Sequence, residues 1–309
     1  MKKIIISGGA GFIGSHVVEL ALENNNQVVV IDNLVSGKLS NLPNDKRVVF
    51  YKADILKDNI EYIFEKEKPD YYIHLAAQTS VNYSEADPIY DAQMNILSSI
   101  NLLNLCKKYK IKKFITASSA AVYGIPEKLP IDENSQTNPI SFYGISKLTM
   151  EKYIQHFQIP YVIFRFSNVY GPRQSSSKES GVIAIFHDAM LNNKKIEIFG
   201  DGKQIRDFIF VKDVAVIINK VINTDISNIT CNFSSNTGIT INQLFKLMKG
   251  MYNYKYDPIY LSPRPGDIKN SILDNSQIIK NFPDLKFTDI NKGLNMLFEY
   301  DRNSKIEIL

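Results

Sequence analysis

Short apolar runs alternate with segments of helical periodicity through the first half of the chain. Six of these runs are rich in β-branched residues, which is typical of buried strands. They lie at Lys3–Ser7, Gln27–Ile31, Val48–Lys52, Tyr71–Leu75, Lys113–Ser118 and Tyr161–Phe166. Strands that alternate with helices form βαβ units, and right-handed crossovers place the helices on both faces of the sheet. The pattern predicts an α/β fold with a doubly wound parallel sheet.

The regular alternation stops after about Gly171. A polar stretch, Gln174–Lys178, is followed by short strand and helix patterns in irregular order. Thr240 and Gln243 have the spacing of a capping box, in which Thr240 caps a new helix. We expect a Rossmann domain over residues 1–170, completed by elements from the second half, and a smaller α/β substrate lobe over residues 171–309.

One helical segment is more apolar than a sheet-covering helix requires. Ile89–Cys106 is apolar around much of its circumference, whereas a helix that covers one face of a sheet needs only one apolar stripe. Two interpretations stay open at this point. Either the segment lies deep in the core, or its second face contacts a partner subunit.

Charge and composition exclude several classes of protein. The 309 residues suit roughly two lobes, and a charged fraction of 22% excludes a charge-driven disordered chain. The net charge of +4, from 36 Lys and Arg against 32 Asp and Glu, does not indicate a nucleic-acid binder. Five lysines lie in Lys107–Lys113. A helix C-terminus followed by a solvated loop explains them better than a nucleic-acid patch does.

The cysteines and the hydropathy pattern favour a cytoplasmic enzyme. Cys106 and Cys231 are too few for a disulfide framework, which suits a reducing compartment. The apolar runs stay well short of the ~18 residues that a membrane-spanning helix needs. We therefore expect no membrane partner and no secretory signal.

A glycine-rich turn separates the first strand from the first helix. It reads Gly8-Gly9-Ala10-Gly11-Phe12-Ile13-Gly14. Glycines permit a tight turn and a close approach of the backbone to a pyrophosphate, and the helix N-terminus adds N–H groups and positive potential. The turn predicts a dinucleotide site, against the alternative of an ordinary glycine turn.

Asp32 ends the second strand, 18 residues after Gly14. An acid at this place accepts hydrogen bonds from the hydroxyls of the adenosine ribose. It also repels a 2′-phosphate, because two like charges about 4 Å apart cost about 4 kcal/mol at an effective dielectric constant of about 20. The next five residues, Asn33–Gly37, contain no Arg to offset this repulsion. NAD is therefore favoured over NADP.

Three further residues have the chemistry of a proton-transfer site. Ser119 follows the end of a predicted strand, and Tyr143 and Lys147 are spaced i and i+4 on one helix face. A nearby ammonium and a nicotinamide cation would favour the phenolate and lower the pKa of Tyr143, which makes it a base. By itself a Tyr-x-x-x-Lys pair is usually chance packing. The glycine turn and Ser119 favour the catalytic interpretation.

Ordered motifs along nearly the whole chain carry a family resemblance. They comprise GGAGFIG, Asp32, Asp54, HLAAQ (His74–Gln78), SSAAVYG, SFYGISK, FRFSNVYGPRQ (Phe164–Gln174), IFGDGKQIRDFIFVKDV (Ile198–Val214) and RPGD (Arg264–Asp267). Together they resemble the extended short-chain dehydrogenase/reductases that act on nucleotide sugars, with the UDP-glucose 4-epimerase type as the best match.

The resemblance implies a seven-stranded Rossmann domain, tightly held NAD and a C-terminal lobe that holds a UDP-sugar. Tyr143 would take the proton of the sugar 4-hydroxyl while the C4 hydride passes to NAD, and Ser119 would hold the same oxygen. Lys147 would bind the nicotinamide ribose. The 4-keto sugar would then turn over, and the hydride would return to the opposite face. NAD carries the hydride, while the protein supplies position and charge.

The resemblance also implies the remaining site residues. The cofactor would contact Tyr143, Lys147 and a further set that comprises Gly8, Gly11, Phe12, Ile13, Gly14, Asp32, Asn33, Ser36, Gly37, Asp54, Ile55, Leu75, Ala76, Ala77 and Asn95. The substrate would contact Ser119, Tyr143, Asn168, Phe199, Arg206, Arg264, Asp267 and Ser271. Arginine suits the diphosphate because its planar fork meets two oxygens at once, and Phe199 would lie against the uracil.

Two alternatives use the same scaffold. Sugar dehydratases carry Asp-Glu at the positions of Ala120 and Ala121, and UDP-glucuronate decarboxylases usually carry a Glu at the position of Ala121. Dehydration and decarboxylation are therefore both disfavoured. A non-catalytic NAD-sensing module should have lost part of the catalytic set, which is complete here. Phe142 and the pair Phe166-Ser167 depart from the usual family residues without touching the chemistry.

The four histidines, His16, His74, His156 and His187, lack metal-ligand spacing, so no metal site is expected, and His74 should be a packed residue.

Two finer expectations follow from the resemblance. Ser271 lies where the family selects the sugar 2-substituent, so a small residue should admit N-acetylated hexoses as well as plain ones. The helices near Pro88–Lys108 and Ser141–His156 should pair across a two-fold axis into a homodimer.

Overall fold

The computed structural model describes residues 1–176, 181–263 and 268–306. They form two compact units. The first holds residues 1–124, 137–165 and 214–231, and the second holds the other described residues. In chain order the elements are β1 (Lys3–Ser7), α1 (Phe12–Glu23), β2 (Gln27–Asp32), β3 (Val48–Lys52), α2 (Glu61–Glu67), β4 (Tyr71–His74), α3 (Val81–Ala86), α4 (Pro88–Ala92), α5 (Ser98–Lys108), β5 (Lys113–Ser119), α6 (Phe142–His156), β6 (Tyr161–Phe166), β7 (Asn168–Tyr170), α7 (Val182–Leu191), β8 (Glu197–Phe199), β9 (Ile205–Phe210), α8 (Val211–Ile222), β10 (Ile229–Phe233), β11 (Gly238–Thr240), α9 (Ile241–Met251), β12 (Ile259–Leu261), β13 (Asn270–Ser271), α10 (Ser276–Asn281) and α11 (Ile290–Ile306).

A seven-stranded sheet runs through the first unit in the order β10-β6-β5-β4-β1-β2-β3. The pairings from β3 through β5 are parallel. All six predicted strands are confirmed, with ends that differ by one residue in β2, β4 and β5. The strand order reverses between β1 and β4. In sheets of this kind, ligands bind beyond the carboxyl ends of the strands at such a switch point.

Aromatic rings stack in the core beneath this sheet. Tyr72 lies between Phe64 and Phe114, with ring centres 5.7 Å and 5.6 Å away and planes within 6° of parallel. The surrounding residues of β1, β2 and α5 are equally buried. This packing gives β1, β4 and β5 a rigid base on which the residues beyond their carboxyl ends are held.

The apolar segment after Pro88 is helical but not uniform. A π-helical turn, Gln93–Leu97, separates α4 from α5. The exposed fraction of Ile89 is 71% and that of Leu97 is 50%, while Asn95 and Leu102 are buried. One face of the segment is therefore core, and the other presents apolar side chains at the surface of the first unit.

The lysine-rich segment differs in one residue from the expected solvated loop. Lys107 and Lys108 lie in the last turn of α5, as expected. Lys113 is buried in β5, where its Nζ donates to the main-chain oxygens of Val221 and Thr224 at 2.9 and 2.7 Å. It connects the amino end of β5 to the end of α8 and its following turn.

The second unit contains two small sheets and four helices. In the larger sheet, β9 pairs with β7, β11 and β13, and β8 pairs with β12 in the smaller one. Helices α7, α9 and α11 contribute to a core of its own. The capping box of Thr240 and Gln243 is confirmed at the start of α9. Across the described parts of both units, no helix is both long and apolar enough to cross a membrane.

Candidate active site

The glycine turn between β1 and α1 leaves no space for side chains on its inner side. Gly8 has φ of +76°, and a Cβ added there would lie 2.6 Å from the main-chain nitrogen of Ala76. A Cβ on Gly14 would lie 2.1 Å from the oxygen of Gly8. Gly11, at the N-cap of α1, supplies no side-chain acceptor, so the first N–H groups of the helix stay available to an anion. The turn fits a pyrophosphate.

Asp32 connects this turn to the loop after β2, because each of its carboxylate oxygens bonds one of the two segments. Oδ2 accepts a hydrogen bond from the main-chain nitrogen of Ala10 at 3.0 Å, and Oδ1 accepts one from Leu34 at 2.8 Å. Each carboxylate oxygen can accept a second bond. Asp32 can therefore hold ribose hydroxyls while it anchors the loop, and its charge disfavours a 2′-phosphate.

A cavity of about 230 Å³ lies over the turn in the first unit. It brings together most of the expected cofactor residues, namely Gly8, Gly11, Phe12, Ile13, Gly14, Asp32, Asn33, Ser36, Ile55, Leu75, Ala76 and Ala77. Residues that sequence reasoning missed also line it: Ile31, Val35, Ala53, Thr79, Tyr90 and Met94. Ala53 could have been found from its place directly after β3. Tyr90 and Met94 carry no such local signal, because the fold of the α4 segment brings them here.

Three residues of the further cofactor set, Gly37, Asp54 and Asn95, are not among those that line the cavity, and neither are Tyr143 and Lys147. The space beside Gly37 is taken by Asp32, whose Oδ1 would lie 2.9 Å from an added Cβ. Asp54 accepts from the main-chain nitrogen of Leu56 at 2.9 Å and from Nδ2 of Asn33 at 3.4 Å. These contacts shape the loops after β2 and β3.

Asn95, the third of these residues, is buried at the centre of a hydrogen-bond network. Its Oδ1 accepts from the main-chain nitrogen of Gln78 at 3.1 Å, and its Nδ2 donates to the Gln78 oxygen at 3.0 Å. Nδ2 also lies 3.0 Å from Oδ1 of Asp91 and 3.1 Å from Oγ of Ser146. Asn95 thus connects the loop after β4 to α6. The buried Asp91, Gln78 and Ser146 were not anticipated from the sequence.

The three expected catalytic residues lie in the first unit, on β5 and α6. Ser119 ends β5 and caps a short 3₁₀ turn, Ala120–Tyr123. Tyr143 and Lys147 are buried on the first turns of α6, and Nζ of Lys147 lies 5.8 Å from the centre of the Tyr143 ring. Gly144 lets α6 approach the turn after β5, because a Cβ there would lie 2.6 Å from the main-chain oxygen of Ala121.

Burial changes the pKa values of this group. Burial raises the pKa of Tyr143 to about 12. The hydroxyl of Ser119 lowers this pKa, and the negative charge of Asp91 raises it further. Burial lowers the pKa of Lys147 to about 8, which the carboxylates of Asp91 and Glu151 oppose. The lowering of the Tyr143 pKa was expected with a nicotinamide cation beside it. In the chain by itself burial has the largest effect, and the pKa is raised.

His74 is a packed residue, as expected. Its ring nitrogens lie 2.9 Å from Oγ of Ser7 and 3.1 Å from Oγ of Ser99. Burial, with a smaller effect of Lys147, lowers the pKa of His74 to about 3. The ring is therefore neutral near pH 7 and connects β1 and β4 to α5.

A cleft of about 730 Å³ lies in the second unit. Three expected substrate residues line it: Asn168, Phe199 and Arg206. Nδ2 of Asn168 donates to the oxygen of Asp207 at 2.9 Å, and Nη1 of Arg206 donates to the oxygen of Lys269 at 3.2 Å. The rest of the wall was not anticipated. It comprises apolar residues of α7, of α9 and around β8, the polar Ser176 and Gln204, the carboxylates Asp188 and Glu197, and the cations Lys194 and Lys195. The cleft combines aromatic, amide and cationic groups, which suits a nucleotide.

Ser271 lies beside Arg206, because the two residues pair in register between β13 and β9. The structure thus places the expected selector residue next to an expected phosphate contact. Arg264 and Asp267 lie outside the described residues.

Comparison with known proteins places these features in a family context. Residues 4–232 match the model of the NAD dependent epimerase/dehydratase family. The structure of UDP-glucose 4-epimerase with UDP-glucose from Thermotoga maritima is 40% identical, with a TM-score of 0.92 over 98% of this chain and 99% of that chain. A UDP-N-acetylglucosamine 4-epimerase from Methanobrevibacter ruminantium, in complex with UDP-N-acetylmuramic acid, is 36% identical, with a TM-score of 0.92 and the same coverage. The Thermus thermophilus UDP-glucose 4-epimerase complex with NAD is 32% identical, with a TM-score of 0.90 over 97% of this chain and 99% of that chain.

Proposed function

The chain belongs to the NAD-dependent epimerase/dehydratase family, and we propose that it is an isomerase that inverts C4 of UDP-hexoses with bound NAD. The observation that carries the proposal is the buried Tyr143, which has Lys147 one helical turn away on α6 and whose pKa Ser119 acts to lower. The glycine turn and Asp32 supply the dinucleotide site. The likeness to the epimerases spans nearly the whole chain.

The residues of the first unit divide the proton chemistry between them. Oη of Tyr143 takes the proton of the sugar 4-hydroxyl and later returns it, and Ser119 holds the same sugar oxygen in place. The charge of Lys147 stabilises the phenolate that forms. The glycine turn and Asp32 would hold NAD, which would supply the hydride acceptor and donor for C4 of the sugar.

The turn after Ser119 argues against dehydration and decarboxylation. A dehydratase needs acid and base groups beside the reacting carbons to move protons at C5 and C6. Ala120 and Ala121 begin this 3₁₀ turn, and methyl groups cannot transfer protons. The chain therefore has the groups for reversible oxidation at C4, and the two positions where an acid pair would assist elimination are apolar.

The second unit offers groups that suit a UDP-sugar. Arg206 would pair with the diphosphate, Phe199 would lie against the uracil and Asn168 would hold a phosphate or ribose oxygen. Ser271, which pairs with Arg206 in register, is small and would leave space for an acetamido group. We therefore include UDP-GlcNAc and UDP-GalNAc with UDP-glucose and UDP-galactose as substrates, which would place the enzyme in galactose or amino-sugar metabolism.

The direct test is incubation of the purified protein with each of these four nucleotide sugars, followed by identification of the products. The expected result is conversion of each sugar to its C4 epimer. A 4-keto-6-deoxy product would instead identify a dehydratase. Bound NAD without any turnover would identify a non-catalytic binding protein.

The exposed apolar face of the first unit supports a homodimer. Ile89, Leu97, Phe142, Ile145 and Tyr153 on α4 to α6 each expose more than a third of their surface. Pairing of these helices across a two-fold axis would bury them. Light scattering at micromolar concentration should give a dimeric mass for the parent and a monomeric mass for Ile145→Asp, whereas Ile259→Asp in the second unit should stay dimeric. A monomeric parent would contradict the proposal.

The two buried free cysteines, Cys106 and Cys231, support a cytoplasmic location.

A further inference from the structure

A buried ion pair lies one helical turn from Lys147. Glu151 on α6 has an exposed fraction of 0%, and Arg165 on β6 has 6%. Nε of Arg165 donates to Oε1 of Glu151 at 3.0 Å, and Nη2 donates to Oε2 at 2.7 Å. The fork of the guanidinium therefore meets both carboxylate oxygens, which is the strongest geometry for this pair.

The ion pair also holds both ends of the segment that carries Ser119. Oγ of Ser118 donates to Oε1 of Glu151 at 2.5 Å. Nη1 of Arg165 donates to Oη of Tyr123 at 2.9 Å, and the guanidinium lies 4.9 Å from the centre of that ring. Since Ser118 precedes Ser119 and Tyr123 ends the 3₁₀ turn that Ser119 caps, the pair attaches this turn to α6.

Stability by itself does not account for this arrangement. The neighbouring side chains Met150, Ile154 and Ile163 form an apolar core. Apolar residues of similar volume often replace a buried ion pair without loss of stability, because both charges have to be desolvated. A role in positioning the reaction centre would explain why charged residues lie here instead of apolar ones.

Lys147 is surrounded by a small set of titratable and charged groups. Its own helix contributes Tyr143 and Glu151. Asp91 faces it from α4, held by Gln78 and Asn95 through Oδ1. His74 faces it from β4 as a neutral ring, and Arg165 lies on β6 against Glu151. Two carboxylates thus accompany Lys147, and one of them is bound to a second cation.

We propose that Glu151 and Arg165 are positioning residues of the epimerase. Together they hold the Ser119 turn against α6, and the carboxylate of Glu151, one helical turn after Lys147, supports the charge of the ammonium group. The inference rests on the proposed function. The two parts of the role can be separated. Glu151→Gln removes the negative charge, and Arg165→Lys removes hydrogen bonds of the guanidinium while keeping its charge.

Glu151→Gln removes the negative charge but keeps the size of the side chain. Lys147 should then lose its proton at a lower pH, and the alkaline limit of kcat/KM should move down by one unit or more. Arg165→Lys keeps the charge but loses the fork and the bond to Tyr123. This variant should lower kcat about tenfold or more while the alkaline limit stays where it is.

Three further proteins complete the experiment. Glu151→Asp keeps the charge and should restore the alkaline limit of the parent. Met150→Leu, the neighbouring core residue, is a volume-conserving control that should change neither kcat nor the pH profile. The double variant Glu151→Met with Arg165→Met should fold even if Glu151→Gln does not, and its kcat should still fall at least tenfold.

Two results would overturn the inference. One is a folded Glu151→Gln variant with the kcat and pH profile of the parent, and the other is a double variant that behaves like the parent. The NMR titration of ¹³C-labelled lysine, assigned with Lys147→Met, gives a readout without turnover. The pKa of Lys147 should be near 8 in the parent and lower in Glu151→Gln. If the parent is inactive but the pKa of Lys147 is lower in Glu151→Gln than in the parent, only the proposed function is contradicted. If the pKa of Lys147 is the same in both proteins, only the inference about the charge of Lys147 is contradicted.

Discussion

Nζ of Lys147 lies 5.8 Å from the centre of the Tyr143 ring, and it donates to the main-chain oxygen of Ala117 at 3.2 Å. The ammonium group thus lies beside the phenol ring while it is held by the main chain of β5, and Ser119 is the neighbour that lowers the pKa of the phenol. Because burial raises the pKa of Tyr143 to about 12 in the chain by itself, the phenolate needs further positive charge. A bound nicotinamide cation would supply that charge.

Tyr143→Phe should lower kcat at least about 100-fold, because it removes only the titrating oxygen and a positioned base contributes about 10²–10⁴-fold. Circular dichroism and the amount of bound NAD should match the parent. Tyr153→Phe, on the exposed side of the same helix, is the matched control and should keep full activity. A Tyr143→Phe variant within tenfold of the parent would show that another group is the base.

Asp32 should make the bound dinucleotide NAD. The purified protein, once denatured, should release a dinucleotide without a 2′-phosphate, which mass spectrometry identifies. Asp32→Asn removes the charge but keeps an oxygen for the turn, so it should narrow the preference for NAD over NADP. Release of mainly NADP from the parent would show that the repulsion argument is wrong.

Gly14→Ala should abolish NAD binding or prevent folding. Its Cβ would lie 2.1 Å from the oxygen of Gly8, and neither backbone segment can move without opening the turn. Gly250→Ala, in the last turn of α9, is the matched control, because its Cβ would have no atom within 4 Å. That substitution should stabilise the protein by about 0.5–1 kcal/mol, measured by urea unfolding. A Gly14→Ala variant with normal NAD content would refute the close-packing argument.

Ser271→Tyr should remove activity on the N-acetylated sugars and spare UDP-glucose and UDP-galactose. An acetamide and a phenol ring cannot occupy the same volume in a close-packed site. Ser271→Ala keeps the position small and should retain all four activities. The steady-state kcat/KM for each sugar measures the change. Equal loss on both pairs, or a parent that does not turn over N-acetylated sugars, would mean that another residue selects the 2-substituent.

Much of the site was predictable because its signals are local. The glycine turn follows β1 directly, and Asp32 ends the next strand, so one βαβ unit brings them together. The i, i+4 spacing of Tyr143 and Lys147 places both on one face of α6. Gly144 shows the limit of such reasoning, since its closeness to Ala121 depends on how α6 packs against the turn after β5.

The buried polar network around Asn95 was not predictable. The sequence around Asn95 predicts a continuous apolar helix, and it gives no sign of the π-helical turn at Gln93–Leu97. The network forms because Gln78, Asp91 and Ser146, which are far apart in sequence, bury their polar groups at one place. Each must find a partner there, since an unpaired buried polar group costs about 1–3 kcal/mol.

The sequence by itself determined six of the seven strands of the central sheet, the dinucleotide turn and the acid that favours NAD. These depend on periodicity, glycine content and spacing, which act over a few residues. Only the tertiary structure decided that burial raises the pKa of Tyr143, that Ser271 pairs with Arg206, and that Glu151 and Arg165 hold the turn of Ser119. Burial and long-range pairing sum contributions from distant parts of the chain, so no local pattern records them.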